Sequence, residues 1–184
     1  VLGWSPFIPG DPDNSSLPVG GLEYVLENTS TKPQEMIFSY HARNFLSWGK
    51  GVDAIKVMPH GFVLSQAGTE AEPHLQGDFA IFTDEDSPKI NYCWFRGGWF
   101  DSLTMVWNAI ESGLMPQSPA VEKGAPGASI FIPVTLMPGD KKTIRIYTAW
   151  YVPCSTLRIG EEPEDWNDNN VAPATLALER ADQG

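Results

Sequence analysis

Short runs of alternating apolar and polar residues, each cut off by Pro, Gly, Asp or Ser, constrain this chain more than any other feature. Alternation at period two can bury only one face of a strand, so each run needs a partner surface to cover it. Leu22, Tyr24 and Leu26 alternate with Glu23, Val25 and Glu27; after the turn-rich ENTSTKPQE the rhythm resumes at Met36, Phe38, Tyr40 and Ala42. This pattern predicts a hairpin. Further strands are expected at 52–58, 61–66, 78–83 and 89–95, and a last pair at 129–137 and 142–152 flanks MPGDK. There Pro138 followed by Gly139 suits a type II turn with positive φ at the glycine.

In the second strand of that pair Ile144, Ile146, Trp150 and Val152 share one face, while Thr143, Arg145, Tyr147 and Tyr151 share the other. One face reads as core and the other as partly wet. Pro133 removes a ladder donor from the first strand, which predicts an edge position or a bulge. Several short strands separated by turn signals indicate a mainly β chain folded as an antiparallel β-sandwich. One segment breaks the rhythm: Asp101 or Ser102 caps a short amphipathic helix near 102–112, expected to cover an end or face of the sandwich. Its apolar positions are Leu103, Val106, Trp107, Ile110 and Leu114, and Gly113 offers a stop. MPQSPAVEKGAPGA at 115–128 reads as a flexible connection. After Arg158 the tail GEEPEDWNDNN turns acidic, which sets the expected division at a sandwich domain, 1–158, and an acidic linker or tail, 159–184.

A chain of 184 residues suits one domain with a substantial core. Its formal net charge of −11 argues against nucleic acid or an anionic membrane surface as partner, since either requires clustered Lys and Arg. No stretch reaches the length of a transmembrane segment. The opening VLGWSPFIPG has neither a positive n-region nor a long apolar run, so no secretory signal is expected there; extracytoplasmic and cytoplasmic locations both stay open. Cys93 and Cys154 allow a single bridge or two buried thiols. Asn14-Ser-Ser and Asn28-Thr-Ser fit the N-glycosylation sequon, which matters only in a eukaryotic secretory pathway.

Residues 3–19, GWSPFIPGDPDNSSLPV, join an aromatic turn, a proline-braced acidic loop and a strand entry. Pro6, Pro9, Pro12 and Pro18 stiffen the loop, and Asp11, Asp13, Asn14, Ser15 and Ser16 can satisfy its backbone donors. The segment resembles the N-terminal domain of glycoside hydrolase family 116, the bile-acid β-glucosidase and non-lysosomal glucosylceramidase family. WNAIESG at 107–113 and ASIFIPVTLMPGDKKTIRIYTAWYVP at 128–153 are similar to further family segments in the expected order. The resemblance implies a supersandwich-like, non-catalytic β-sandwich, here without the N-terminal part of the family domain. It further implies a scaffold for a downstream (α/α)6 catalytic barrel that hydrolyses β-glucosides as a retaining enzyme. The family's catalytic Glu and Asp lie in that barrel, so no catalytic residue is assigned in this chain, and whether it has activity of its own stays open.

The chain's own carboxylates do not read as a sugar-cleaving pair, which in a retaining enzyme sits roughly 5 to 5.5 Å apart with one pKa raised by its surroundings. Glu23 and Glu27 fall on an outward strand face, and Asp84, Glu85 and Asp86 in a turn, as solvated acids do. His41, His60 and His74 show no metal-ligand spacing with either cysteine. Asp11 to Asn14 and Asp165 to Asn170 are dense in oxygen ligands but lack the EF-hand glycine and distal Glu. Neither metal nor cofactor is expected.

Seven Trp are more than a core of this size needs, and YCWFRGGWF at 92–100 gathers aromatics around an arginine and two glycines. Trp94, Arg96, Trp99 and Phe100 are therefore candidate carbohydrate contacts, since exposed rings stack on sugar faces while polar neighbours bond hydroxyls. The alternative is that these rings pack, either in the core or against the catalytic domain. Two functions follow: the scaffold, or an independent carbohydrate-binding module with an aromatic platform. A scaffold should present a contiguous apolar patch, and a module a few coplanar rings in a shallow groove.

Overall fold

The computed structural model describes residues 1–47 and 52–155. Its elements in chain order are β1 (Leu2–Trp4), α1 (Pro12–Ser15), β2 (Val19–Glu27), β3 (Gln34–Arg43), β4 (Asp53–Met58), β5 (Gly61–Gln66), β6 (Gly77–Thr83), β7 (Lys89–Asn91), α2 (Ser102–Glu111), β8 (Gly127–Leu136) and β9 (Lys141–Tyr151). A 3₁₀ turn, Pro73–Leu75, precedes β6. The strands form a six-stranded sheet, β1-β2-β9-β6-β5-β4, and a three-stranded sheet, β3-β8-β7, with every pairing antiparallel. The predicted antiparallel β-sandwich is thus present.

Two predicted pairings are corrected. β2 pairs with β1 and β9, and β3 with β8, so the chain between them crosses from one sheet to the other. β8 and β9 are divided in the same way. Alternation locates an apolar face without saying whether its neighbour lies beside it or opposite it. Here the faces are opposed: Tyr24 of β2 meets Phe38 of β3 with ring centroids 4.9 Å apart. Ile130 of β8 and Ile144 and Ile146 of β9 are fully buried in the shared core with Phe62, Leu64 and Ile81. Each such side chain contributes about 1.5–3 kcal/mol relative to exposure.

Both crossings meet at Asn28, which is buried. Its Nδ2 donates to the carbonyls of Lys32 and Leu136 at 2.8 and 2.9 Å. Its backbone N–H donates to the Asp140 carbonyl at 3.0 Å and its carbonyl accepts from Gly139 N–H at 2.9 Å. Gly139 has φ 83°, the positive value expected of the turn.

Pro133 sits on the central strand of the smaller sheet, yet β7 reaches only Ser129–Phe131, so among the described residues β3 alone pairs with β8 at that level. The missing N–H is tolerated where the strand is locally an edge. β7 is also shorter than the predicted 89–95. Beyond Asn91 the chain bonds to the 115–128 segment instead: Tyr92 N–H to the Ser118 carbonyl and Trp94 N–H to the Gly127 carbonyl, both at 3.0 Å. That segment is therefore stitched to the sandwich, with Ala125 buried. Alternation carried no trace of β1 or α1. The latter is one turn inside the acidic loop, begun by Pro12 and capped by Asp11, whose Oδ1 accepts from Asn14 N–H at 3.0 Å.

Candidate functional site

The aromatic segment divides into a buried part and an exposed part. Trp94 is 3% exposed. Its ring lies against Gly127, where a Cβ would come within 2.6 Å of Cε3. Its Nε1 donates to Ser129 Oγ at 2.8 Å, and the same hydroxyl lies 2.7 Å from His41 Nδ1. Trp94 is thus a buried ring, tied to the smaller sheet through Ser129.

Indole nitrogen only donates, so the Ser129 oxygen accepts from Trp94, and the direction of its bond to His41 Nδ1 follows the imidazole tautomer. Among the described residues, His41 Nε2 is buried without a hydrogen-bond partner. Burial lowers the pKa of His41 and keeps it neutral. Ser129 is itself fully buried, so the trio fastens the outer face of the smaller sheet and presents no nucleophile to solvent. Nearby, Cys93 donates from Sγ to the Trp94 carbonyl at 3.3 Å, and burial raises its thiol pKa. Cys93 and Cys154 are free thiols.

Past Trp94 the chain surfaces. Arg96 is exposed, with Nη1 donating to the Lys123 carbonyl at 3.4 Å. Trp99 and Phe100 are 88% and 63% exposed. Asp101 then caps α2, its Oδ1 accepting from the N–H groups of Leu103 and Thr104 at 2.9 and 3.1 Å. The Thr104 hydroxyl, which donates to Oδ2, and these backbone bonds hold its pKa low. Gly113, at φ 66°, closes the helix.

The apolar stripe of α2 splits in two. Val106 is buried, and Ile110 lines a groove of about 580 Å³ against Met36, Ile37, Phe131 and Pro133 of β3 and β8. The helix thus covers the smaller sheet as expected. Leu103 and Trp107 nevertheless face solvent at 60% and 59% exposure, while Leu114, beyond the helix end, borders the same groove as Ile110. Spacing of three and four residues marked all five positions as one face and could not tell the half turned inward from the half turned out.

Four of the five acids considered for a catalytic pair, all but Asp86, are engaged by cations. Glu23 pairs with Arg145 at 3.3 Å, Glu27 with Lys141 at 3.1 Å, Asp84 with Arg145 at 3.5 Å and Glu85 with Lys142 at 2.7 Å. In the N-terminal loop both Asp11 oxygens bond Asn14. Asp165 to Asn170 lie outside the described residues. Among the described residues, no three His, Cys, Asp or Glu side chains converge as a metal site, and no helix is long and apolar enough to cross a membrane.

The sandwich with its capped helix is the setting for the comparison with known families. A family model described as beta-glucosidase 2, glycosyl-hydrolase family 116 N-term, matches residues 1–170. The chain belongs to this family. No curated protein gives a significant match. In this family 116 N-terminal domain the matched span takes in both sheets, α2 and the Trp94 trio. It also runs past residue 158, where the acidic composition begins.

Proposed function

We propose that this family 116 N-terminal domain is a non-catalytic scaffold for a downstream (α/α)6 barrel that hydrolyses β-glucosides, with residues 159–184 as the acidic connection. The observation that carries the reading is the outward apolar edge of α2, Leu103 and Trp107, preceded by the exposed Trp99 and Phe100 just before the cap. Water gains nothing from such a run of large apolar side chains; a partner surface that covers it gains their burial. Position supports the same conclusion. Val106 is buried under α2 while Leu103 and Trp107 of the same helix stay exposed, so the helix presents an apolar edge outward.

The test uses the chain alone and the chain joined to the sequence that follows it in its polypeptide, both assayed with an aryl β-glucoside. Activity is expected only in the joined protein. In that protein, Leu103→Glu with Trp107→Glu should loosen the domain contact and raise protease cleavage between the two parts. Hydrolysis by the chain alone, or a double variant as compact and active as the parent, would refute the scaffold.

A further inference from the structure

The outer face of the larger sheet carries a second aromatic grouping, on the side of the sandwich away from α2. The register aligns Trp4, Gly21, Tyr147 and Phe82 in one row across β1, β2, β9 and β6. A Cβ at Gly21 would lie 2.5 Å from Cε2 and Cζ2 of Trp4, so the indole occupies the space that any other residue would fill. It rests over β2 and remains 40% exposed. Tyr147 stands at 68° to it with ring centroids 6.2 Å apart. Phe82 stacks against Tyr147 at 5.4 Å and 26° and holds it upright. Floor and wall meet in a steep corner.

The adjoining row supplies polar groups in fixed positions. Arg145 Nε meets Glu23 Oε1 at 3.3 Å across the β2–β9 ladder, and its Nη1 lies 3.5 Å from Asp84 Oδ2. Tyr147 donates its hydroxyl to the same Asp84 oxygen at 3.2 Å. Glu23 Oε2 and Asp84 Oδ1 keep their acceptor capacity. Two carboxylates and one guanidinium leave the rim with a net charge of about −1.

A pyranose whose hydroxyls are all equatorial has an apolar face of axial C–H bonds, suited to an indole floor, and a rim of hydroxyls suited to fixed acceptors. The negative rim disfavours phosphorylated or uronic sugars. We propose that this corner binds a neutral, β-linked, gluco-configured saccharide, with Trp4 as floor, Tyr147 as wall, and Glu23 and Asp84 accepting hydroxyl hydrogens. The corner and the α2 stripe lie on opposite faces, so binding here does not depend on the docking reading.

The chain is titrated with cellotetraose and, separately, with tetragalacturonic acid, by calorimetry and Trp fluorescence. Saturable binding of cellotetraose alone is expected. Trp4→Ala should weaken it about tenfold, the loss of one aromatic contact. Gly21→Ala should do the same by displacing the indole while every aromatic side chain remains, and Asp84→Asn, an exposed change, should weaken it several-fold without disturbing the fold. Trp99→Ala should leave it unchanged. Absence of saturation at millimolar cellotetraose, equal binding of the acidic sugar, or unaltered affinity in Gly21→Ala and Asp84→Asn would overturn the proposal. Loss of binding in Trp99→Ala would overturn it too, by moving the sugar to the opposite face.

Discussion

Trp94 reaches Ser129 through a single hydrogen bond of 2.8 Å, and both partners are buried. Because the same hydroxyl serves His41, removing it leaves an indole donor and an imidazole nitrogen without partners. Ser129→Ala is expected to destabilise the domain by about 1–3 kcal/mol, the range for buried polar groups left unsatisfied. Urea unfolding followed by Trp fluorescence reads the change.

The same trio predicts a pH dependence. Burial depresses the pKa of His41 below its ordinary value of 6.5, so the unfolded chain takes up a proton at higher pH than the folded one does. The stability that neutral His41 contributes is full above the unfolded value and is lost as pH falls from there through the lower folded value. His41→Gln keeps an acceptor for Ser129 without titrating. The stability difference between wild type and this variant should be flat above pH 6.5 and move against wild type below it; a difference that stays constant on acidification excludes the effect.

Gly127 is required by what lies beside it. A methyl there would stand 2.6 Å from both the Ala42 carbonyl oxygen and the Trp94 ring. Gly127→Ala should therefore cost about 1–3 kcal/mol through overpacking. Gly98 has nothing within 4 Å of the corresponding position, and Gly98→Ala should fall within about 0.5 kcal/mol of wild type. Thermal unfolding of the two variants side by side separates close approach from a general cost of replacing glycine.

Asp101 is the start signal of α2, and its carboxylate holds two backbone donors. Asp101→Ala should lower stability, measured by urea unfolding, because two backbone donors lose their acceptor. Faster amide exchange should appear first in Leu103 and Thr104, whose N–H groups lose their acceptor. Unchanged protection there would mean that packing of Val106 and Ile110 defines the helix start.

The strands were legible because period-two alternation is a local property: Met36, Phe38, Tyr40 and Ala42 announce β3 by themselves. The partner of each strand was not, since Tyr24 facing Phe38 across two sheets and Tyr24 beside Phe38 in one hairpin produce the same sequence. Asp101, Gly113 and Gly139 were readable because capping and positive φ select few residue types. Trp94 and Trp99 stand five positions apart in one aromatic run, and composition gave both the same claim on solvent. Only the stitching of Trp94 N–H to Gly127 and of its indole to Ser129 takes one inward and leaves the other out. The place of Trp4 on the surface has no local signal in the sequence, because it is defined by Gly21, seventeen positions along the chain.

Asn28 carries a sequon, and its side-chain nitrogen is also the donor that ties both sheet crossings together. A glycan attached to that nitrogen would remove one of its two hydrogens and wedge a sugar into a buried junction. Sugar transfer and closure of the sandwich therefore compete for a single atom, and in any glycosylating compartment the order of the two events would decide whether the molecule matures.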